Sequence, residues 1–341
     1  MLDKDITDQL KTIFGNLKSD IVFRLYTAPD SQAAAEMSSF IDEIAATSPH
    51  LSVEVSSTET DAPVFEIVKE NIPTGVKFCG IPNGHEFTTL LLAVLNADGQ
   101  GKNLPDATLA ARIKALNGPV ELQTFVSLTC TNCPDVAQAL DIIALLNPRI
   151  TNTVIDGAVV PDLVKELNIQ SVPAVYADGK LLSVGRSSLV DLLEKLENIY
   201  GTAQNTDTTP VTREYDVVVL GGGPAGAAAA IYCARKGFRT AVVAKTIGGQ
   251  VRETMDIENL ISVPETTGPR LASDLKEHLS RYPIDLFENR TADSAVVSGS
   301  AKVIVCANET FRCKALIIAT GAGWRKLSVP GEAEHLGHGV A

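Results

Sequence analysis

Apolar and polar residues recur with two different periods along this chain, and each change of period marks an element. Over residues 1 to 14 apolar positions return at helical spacing among charges. Ile21-Val-Phe-Arg-Leu-Tyr then alternates with a period of two and predicts a strand. Residues 27 to 46 are helical in pattern, and Asp61-Ala-Pro-Val-Phe-Glu-Ile predicts a second extended run. The same order comes round again. Val120-Glu-Leu-Gln-Thr-Phe-Val predicts a strand leading to Cys130, residues 134 to 146 a helix, Thr153-Val-Ile a strand, and Ser171-Val-Pro-Ala-Val-Tyr another. A Gly-Lys turn at Gly179 and a closing helix over residues 187 to 200 complete it. Such self-similarity sets the fold class and has to be sought before any other assignment. Ala62-Pro63 and Val172-Pro173 stand at matching places ahead of strands. A trans proline within a ladder would remove a donor there, so both bonds are predicted cis.

Residues 200 to 213 are small and polar with no apolar period, and predict a flexible linker. Beyond it come Tyr215-Asp-Val-Val-Val-Leu, a glycine turn, an alanine-rich helix to Lys236 and the strand Thr240-Ala-Val-Val-Ala. A continuous apolar strand, a tight glycine turn and a crossover helix make a βαβ unit with a parallel sheet buried on both faces. The predicted fold class is α/β: tandem thioredoxin-like folds of order βαβαββα, followed by the first part of a Rossmann-like FAD-binding domain. The predicted boundaries are 1–104 for a half without redox cysteines, 105–200 for the half with Cys-x-x-Cys, 201–213 for the linker, and 214–341 for the nucleotide-binding segment.

Composition narrows the function. With 341 residues and 45% apolar content, the chain can bury two or three cores. A net charge of −12 repels phosphate backbones and argues against nucleic acid as a partner. No apolar run approaches the about 20 residues that span a bilayer, and the opening residues lack a signal-peptide pattern. A cytoplasmic protein is expected. Six cysteines are too few for a disulfide scaffold, and only Cys130 and Cys133 are closely spaced.

Cys130-Thr-Asn-Cys133 falls at a strand-to-helix junction, with Pro134 tolerated in the first helical turn. The partial positive charge of the helix N-terminus favours the thiolate of Cys130, which makes it the attacking and attacked sulfur. Cys133 is then the resolving thiol. Cys-x-x-Cys is also half of a zinc knuckle, but no second ligand pair at suitable spacing is present, so no metal is expected. Pro173, about forty residues on, favours the redox reading, and the Val172 backbone can pair with an incoming peptide strand. Cys79, Cys233, Cys306 and Cys313 read as buried thiols acting as small hydrophobes.

Gly221-Gly-Gly223-Pro224-Ala225-Gly226 follows a strand and opens a helix, the context in which glycines admit a pyrophosphate. Thr320 and Gly321, in Ile317-Ile-Ala-Thr-Gly-Ala ahead of Val329-Pro-Gly-Glu, resemble the Ala-Thr-Gly turn of flavoproteins with two dinucleotide domains. Together the two favour FAD over NAD here. Gly249 and Gln250, with Asp256-Ile-Glu-Asn259, match the stretch that runs along the flavin in thioredoxin-reductase-like enzymes. Asn259 reads equally as an ordinary turn amide.

The tandem halves, Gly84-His-Glu-Phe, Ser127-Leu-Thr-Cys-Thr-Asn-Cys-Pro-Asp, Asn147-Pro-Arg and the flavin motifs together resemble the family of F subunits of alkyl hydroperoxide reductase over essentially the whole chain. The resemblance implies electron flow from NADH to FAD, to a Cys-x-x-Cys in an NAD domain, to an N-terminal dithiol, and on to a peroxiredoxin subunit that reduces peroxides. It assigns the last relay to Cys130 and Cys133, implies a homodimer when full length, and places Glu86 near the dithiol, against the alternative of a surface carboxylate. Two departures stand out. The acidic residue expected about twenty positions after the glycine turn, for the adenosine ribose, is Lys245. The chain also stops at Ala341, where the family places its second Cys-x-x-Cys and its NAD domain. That implies an N-terminal fragment or, alternatively, a natural carrier reduced by another enzyme. Two other readings are a stand-alone protein disulfide oxidoreductase and a non-enzymatic nucleotide sensor tethered to a thiol module.

Overall fold

The computed structural model describes residues 3–26, 32–58, 60–203, 211–254, 256–307, 309–322 and 329, which fall into two compact units, Met1–Gln204 and Asn205–Ala341. The first unit opens with α1 (Lys4–Phe14), N-capped by Asp3, whose carboxylate accepts from the Ile6 N–H, and it buries Leu10 and Phe14. Then follow β1 (Ile21–Tyr26), α2 (Gln32–Ala45), β2 (Leu51–Val55), β3 (Val64–Lys69), β4 (Ile72–Cys79), the 3-10 turn Gly84–Glu86 and α3 (Phe87–Ala97). The second half comprises α4 (Ala107–Ala115), β5 (Val120–Val126), α5 (Cys133–Leu146), β6 (Ile150–Asp156), α6 (Pro161–Glu166), β7 (Ala174–Ala177), β8 (Lys180–Val184) and α7 (Leu189–Tyr200). A reciprocal cap of Ser188 and Asp191 starts α7.

The repeat is visible as topology. One eight-stranded sheet runs β2-β1-β3-β4-β6-β5-β7-β8. In each half the first strand pairs parallel with the second and antiparallel with the third, and the fourth closes antiparallel. These are two thioredoxin-like folds, fused edge to edge through the parallel pair β4–β6. α5 packs at the seam. Cys133, Ala137 and Ala144 belong to the core of the first half, with Phe65, Phe78 and Leu90, while Val136, Leu140 and Ile143 belong to the core of the second. The helix that carries the dithiol is therefore clamped by both halves.

The structure departs from the expectations at several elements. β2 and β4 in the first half, and α4 in the second, are not among the expected elements; β2 is a short alternation of five residues, Leu-Ser-Val-Glu-Val, and β4 includes Pro73 and Gly75, both strand-weakening. Residues 27–31 of the expected first-half helix lie outside the described residues. Val172–Pro173 is cis as expected, and so is Gly118–Pro119, which the sequence does not signal; Ala62–Pro63 is trans. Pro63 stands just ahead of β3, where no ladder bond asks for its missing N–H, and its carbonyl accepts from Gly80 N–H at 3.1 Å.

The second unit is built from β9 (Val211–Gly222), α8 (Pro224–Arg235), β10 (Thr240–Ile247), the 3-10 turn Gly249–Glu253, α9 (Gly268–Ser280), β11 (Ile284–Phe287), β12 (Ser294–Ser298), β13 (Ala301–Cys306) and β14 (Glu309–Ile318). Its sheet runs β11-β10-β9-β14-β13-β12, parallel from β11 to β14 and antiparallel beyond. A parallel sheet with a crossover helix is the expected Rossmann-like arrangement. Strand β9 begins earlier than the sequence suggests, because Val211 and Thr212 pair with Glu309 and Thr310. At the other end of the expected linker, Ala203 N–H bonds Ala115 O at 2.7 Å; residues 204–210 lie outside the described residues.

Candidate functional site: a dithiol over buried carboxyls, and a glycine cradle

Cys130 and Cys133 form a disulfide at the start of α5. Cys133 is fully buried, whereas Cys130 is half-buried, with its sulfur 3.8 Å from the carbonyl oxygen of Val172 beside Pro173. Pro173 O in turn accepts from Gly185 N–H at 2.8 Å, which ties this loop to the end of β8. Only Cys130 can be approached from outside. Accessible and shielded sulfurs on a helix N-terminus suit attack and resolution respectively. Among the described residues, no group of three or more His, Cys, Asp or Glu is gathered to hold a metal ion.

Glu86 is not a surface carboxylate. It is fully buried, accepts from Thr89 Oγ1 at 2.7 Å, and burial pushes its carboxyl up to about 7. The turn that carries it is pinned to the dithiol loop, since His85 N–H donates to Leu128 O at 3.1 Å. Gly84 makes this approach possible: it has φ +57, and a Cβ there would overlap the Leu128 carbonyl oxygen. A single sequence does not announce such burial, because a Gly-His-Glu turn at a helix start usually faces water. Sequence reasoning missed Asp141 altogether. It sits inside α5, is 1% exposed, and accepts from Asn152 Nδ2 at 2.8 Å; Asn152 Oδ1 accepts from Thr124 Oγ1 at 2.8 Å. The signal for it in sequence is an acidic residue in an otherwise apolar run, Ala139 to Leu146.

Cys79, Cys306 and Cys313 are buried as expected, and desolvation raises the thiols of Cys79 to about 11 and Cys306 to about 12. Cys233 is only half-buried on α8, because that face of the helix is partly open.

In the second unit a cavity of about 560 Å³ opens at the carboxyl ends of β9, β10 and β14. Gly221, Gly223, Pro224 and Ala225 line it from the turn between β9 and α8, Lys245 from β10, Gly249 and Gln250 from the following turn, and Thr320 and Gly321 from the end of β14. Gly226 lies under the turn. A Cβ on it would overlap the Gly221 carbonyl oxygen, and one on Gly221 (φ +110) would overlap that of Ala319. Above Gly223, by contrast, the nearest atom to such a Cβ is Gly248 O at 3.9 Å, so the helix N-terminus is open to a ligand. Asn259 is elsewhere, in a separate surface depression with Thr254 and Asp256. The cavity wall also includes residues that sequence reasoning missed. Thr291 Oγ1 is buried without a partner, and Arg290, 7% exposed, is held by Glu309, with Nε 2.5 Å from Oε2. Nothing in Asn289-Arg-Thr marks this role in sequence. The glycine cradle, the orphaned hydroxyl and the cavity's size fit a dinucleotide.

A family model described as pyridine nucleotide-disulphide oxidoreductase matches residues 215–341, and one described as thioredoxin domain matches residues 120–198. The alkyl hydroperoxide reductase F subunit of Staphylococcus epidermidis is 41% identical over 342 residues, covering 100% of this chain and 66% of the relative. Among solved structures, the NTD_N/C domain of the alkylhydroperoxide reductase AhpF from Enterococcus faecalis is 31% identical, with a TM-score of 0.54 over 57% of this chain and 100% of its own. A protein disulfide oxidoreductase from Aeropyrum pernix has a TM-score of 0.52 at 20% identity, over 60% of this chain and 97% of its own, a likeness of fold. By the Staphylococcus and Enterococcus likenesses together, the chain belongs to the family of F subunits of alkyl hydroperoxide reductase.

Proposed function

We propose that Cys130 and Cys133 are the terminal relay that passes two electrons to a peroxiredoxin, in a protein that draws them from NADH through FAD. The observation that carries this reading is the pairing of a half-buried with a fully buried sulfur at the start of α5, beside the Val172 carbonyl. In the reduced pair, the Cys130 thiolate attacks one sulfur of the partner's disulfide; that S–S bond breaks, and the partner's other sulfur leaves as a thiolate. Cys133, once deprotonated, attacks the Cys130 sulfur, which re-forms the internal disulfide and frees the partner's second thiol. Glu86, whose buried carboxyl titrates near 7, is suited to take the Cys133 proton. Val172 offers its backbone to the incoming peptide as an added strand.

In the second unit, the amides at the start of α8 around Gly223 and Ala225 would hold the pyrophosphate of FAD, with Gly221 and Gly226 allowing its approach. Lys245 takes the place of the usual ribose carboxylate, and Thr320 with Gly321 closes the cavity. When bound there, FAD supplies two-electron chemistry between a nicotinamide and a dithiol. Gly249, Gln250 and, farther off, Asn259 belong to the stretch proposed to follow the flavin. Among the described residues no helix is long and apolar enough to cross a membrane, and we infer a cytoplasmic protein, homodimeric at full length.

Cys133→Ser tests the relay. A dithiothreitol-sensitive adduct between Cys130 and a peroxiredoxin cysteine is expected at about micromolar concentrations of both proteins, with little from Cys130→Ser. No adduct, or an equal one from Cys130→Ser, overturns the assignment.

A further inference from the structure

Two carboxyl oxygens in the first unit are buried without a hydrogen-bonding partner, Glu86 Oε1 and Asp141 Oδ2. The groups around them are otherwise matched in pairs. Glu86 Oε2 accepts from Thr89 Oγ1, which lies 3.4 Å from Gln138 Nε2, one turn before Asp141 on α5. Asp141 Oδ1 accepts from Asn152, which accepts from Thr124. Two orphaned acceptors in a packed core each cost the full desolvation of the group, a state that native cores rarely hold.

The elements packed around this point show what can satisfy them. β4 presents Val76 and Phe78, β6 presents Asn152 and Val154, β5 presents Thr124 and Val126, and α3 presents Thr89 and Leu90. None of these is ionisable. The titratable group that reaches Asp141 is Glu86, whose charge acts with burial to hold Asp141 well above the ordinary carboxyl range. A protonated Asp141 has an O–H that must donate, and Oδ1 is already occupied as an acceptor. Glu86 Oε1 is the other carboxyl oxygen of this unit buried without a partner, and it can accept.

We propose that Asp141 is a positioning residue: in its protonated form it donates from Oδ2 to Glu86 Oε1, directly or through one buried water. Glu86, on the turn bonded to the dithiol loop, can then ionise without an unpaired charge, and the carboxyl pair holds a single proton between two states. This deepens the role given to Glu86 above. It is read on the Glu86 carboxyl itself, so its failure is distinguishable from a failure of electron transfer.

The test follows the Glu86 carboxyl through pH by carbon-13 NMR of the oxidised full chain, with Glu86→Gln identifying its resonance. Asp141→Leu removes the donor at similar volume, and Asp141→Asn keeps one, because its amide can accept from Asn152 and donate to Glu86. The expected result is a Glu86 midpoint higher by about one to two pH units in Asp141→Leu, the loss of one hydrogen bond to a charge, and little changed in Asp141→Asn. A midpoint that falls or stays in Asp141→Leu means that Asp141 repels or ignores Glu86 and overturns the proposal. Equal rises in both variants overturn the donor role. A second measurement does not depend on Asp141→Leu folding. The infrared spectrum of the wild type under mildly alkaline conditions should contain a buried carboxylic-acid carbonyl band that Asp141→Asn lacks; absence of that band in the wild type overturns the proposal.

Discussion

Replacing Glu86 by Gln should make the first unit more stable than the wild type in alkali and not in acid. Glu86 is fully buried, and its carboxyl is raised from an ordinary 4.5 to about 7 by desolvation. A raised acid favours the protonated form in the folded state. The stability it contributes is present below the unfolded value and lost as pH rises through the folded one. The window is therefore 4.5 to about 7. Across it the linkage relation costs the wild type about 2–3 kcal/mol between about pH 5 and about pH 8, most of the 2.5-unit difference multiplied by about 1.4 kcal/mol per unit. Gln keeps the shape and the bond to Thr89 and does not ionise, so the variant escapes this loss. Two units in one chain make a single unfolding free energy ill-defined. The assay is therefore native-state hydrogen exchange at the amides of α5 and β6, with wild type and variant compared at the same pH. The stability difference between variant and wild type should move in favour of the variant by that amount across the window. A difference that is constant with pH, or that moves toward the wild type in alkali, would refute the claim that Glu86 carries a buried, costly charge.

Two tests address the second unit. Gly226→Ala puts a Cβ onto the Gly221 carbonyl oxygen beneath the cradle, so the turn has to open; FAD retention on gel filtration should be lost while the exchange chemistry of Cys130 is kept, and full retention of flavin would show that the cradle is not the site. Lys245→Glu restores an acceptor for ribose hydroxyls at the cavity wall. FAD affinity, followed by quenching of flavin fluorescence, should rise about tenfold, and an unchanged or weaker affinity would mean that Lys245 does not face the ribose.

Local patterns determined a good deal of this protein. Period-two runs such as Ile21–Tyr26 and the apolar run of β9 specify strands wherever they occur, because one or both faces must be buried. Cys-x-x-Cys-Pro specifies a helix start, and the glycine turn specifies backbone that a Cβ would block. These are short-range constraints, and they carried the tandem repeat, the dithiol and most of the nucleotide cradle. What only the tertiary structure decided is how residues far apart in sequence share one environment. The fusion of β4 to β6 makes a single sheet and wedges α5 between two cores, and that placement buries Glu86 against the helix carrying Cys133. Asp141 looks like an interruption in a helix until the Asn152 amide is seen to meet it from β6. Arg290, in the cavity wall, and Glu309, nineteen residues on at the start of β14, become a pair only in the folded unit. Burial and pairing of charges depend on which surfaces meet. No local pattern of residues encodes that, and the proton chemistry of the first unit depends on it.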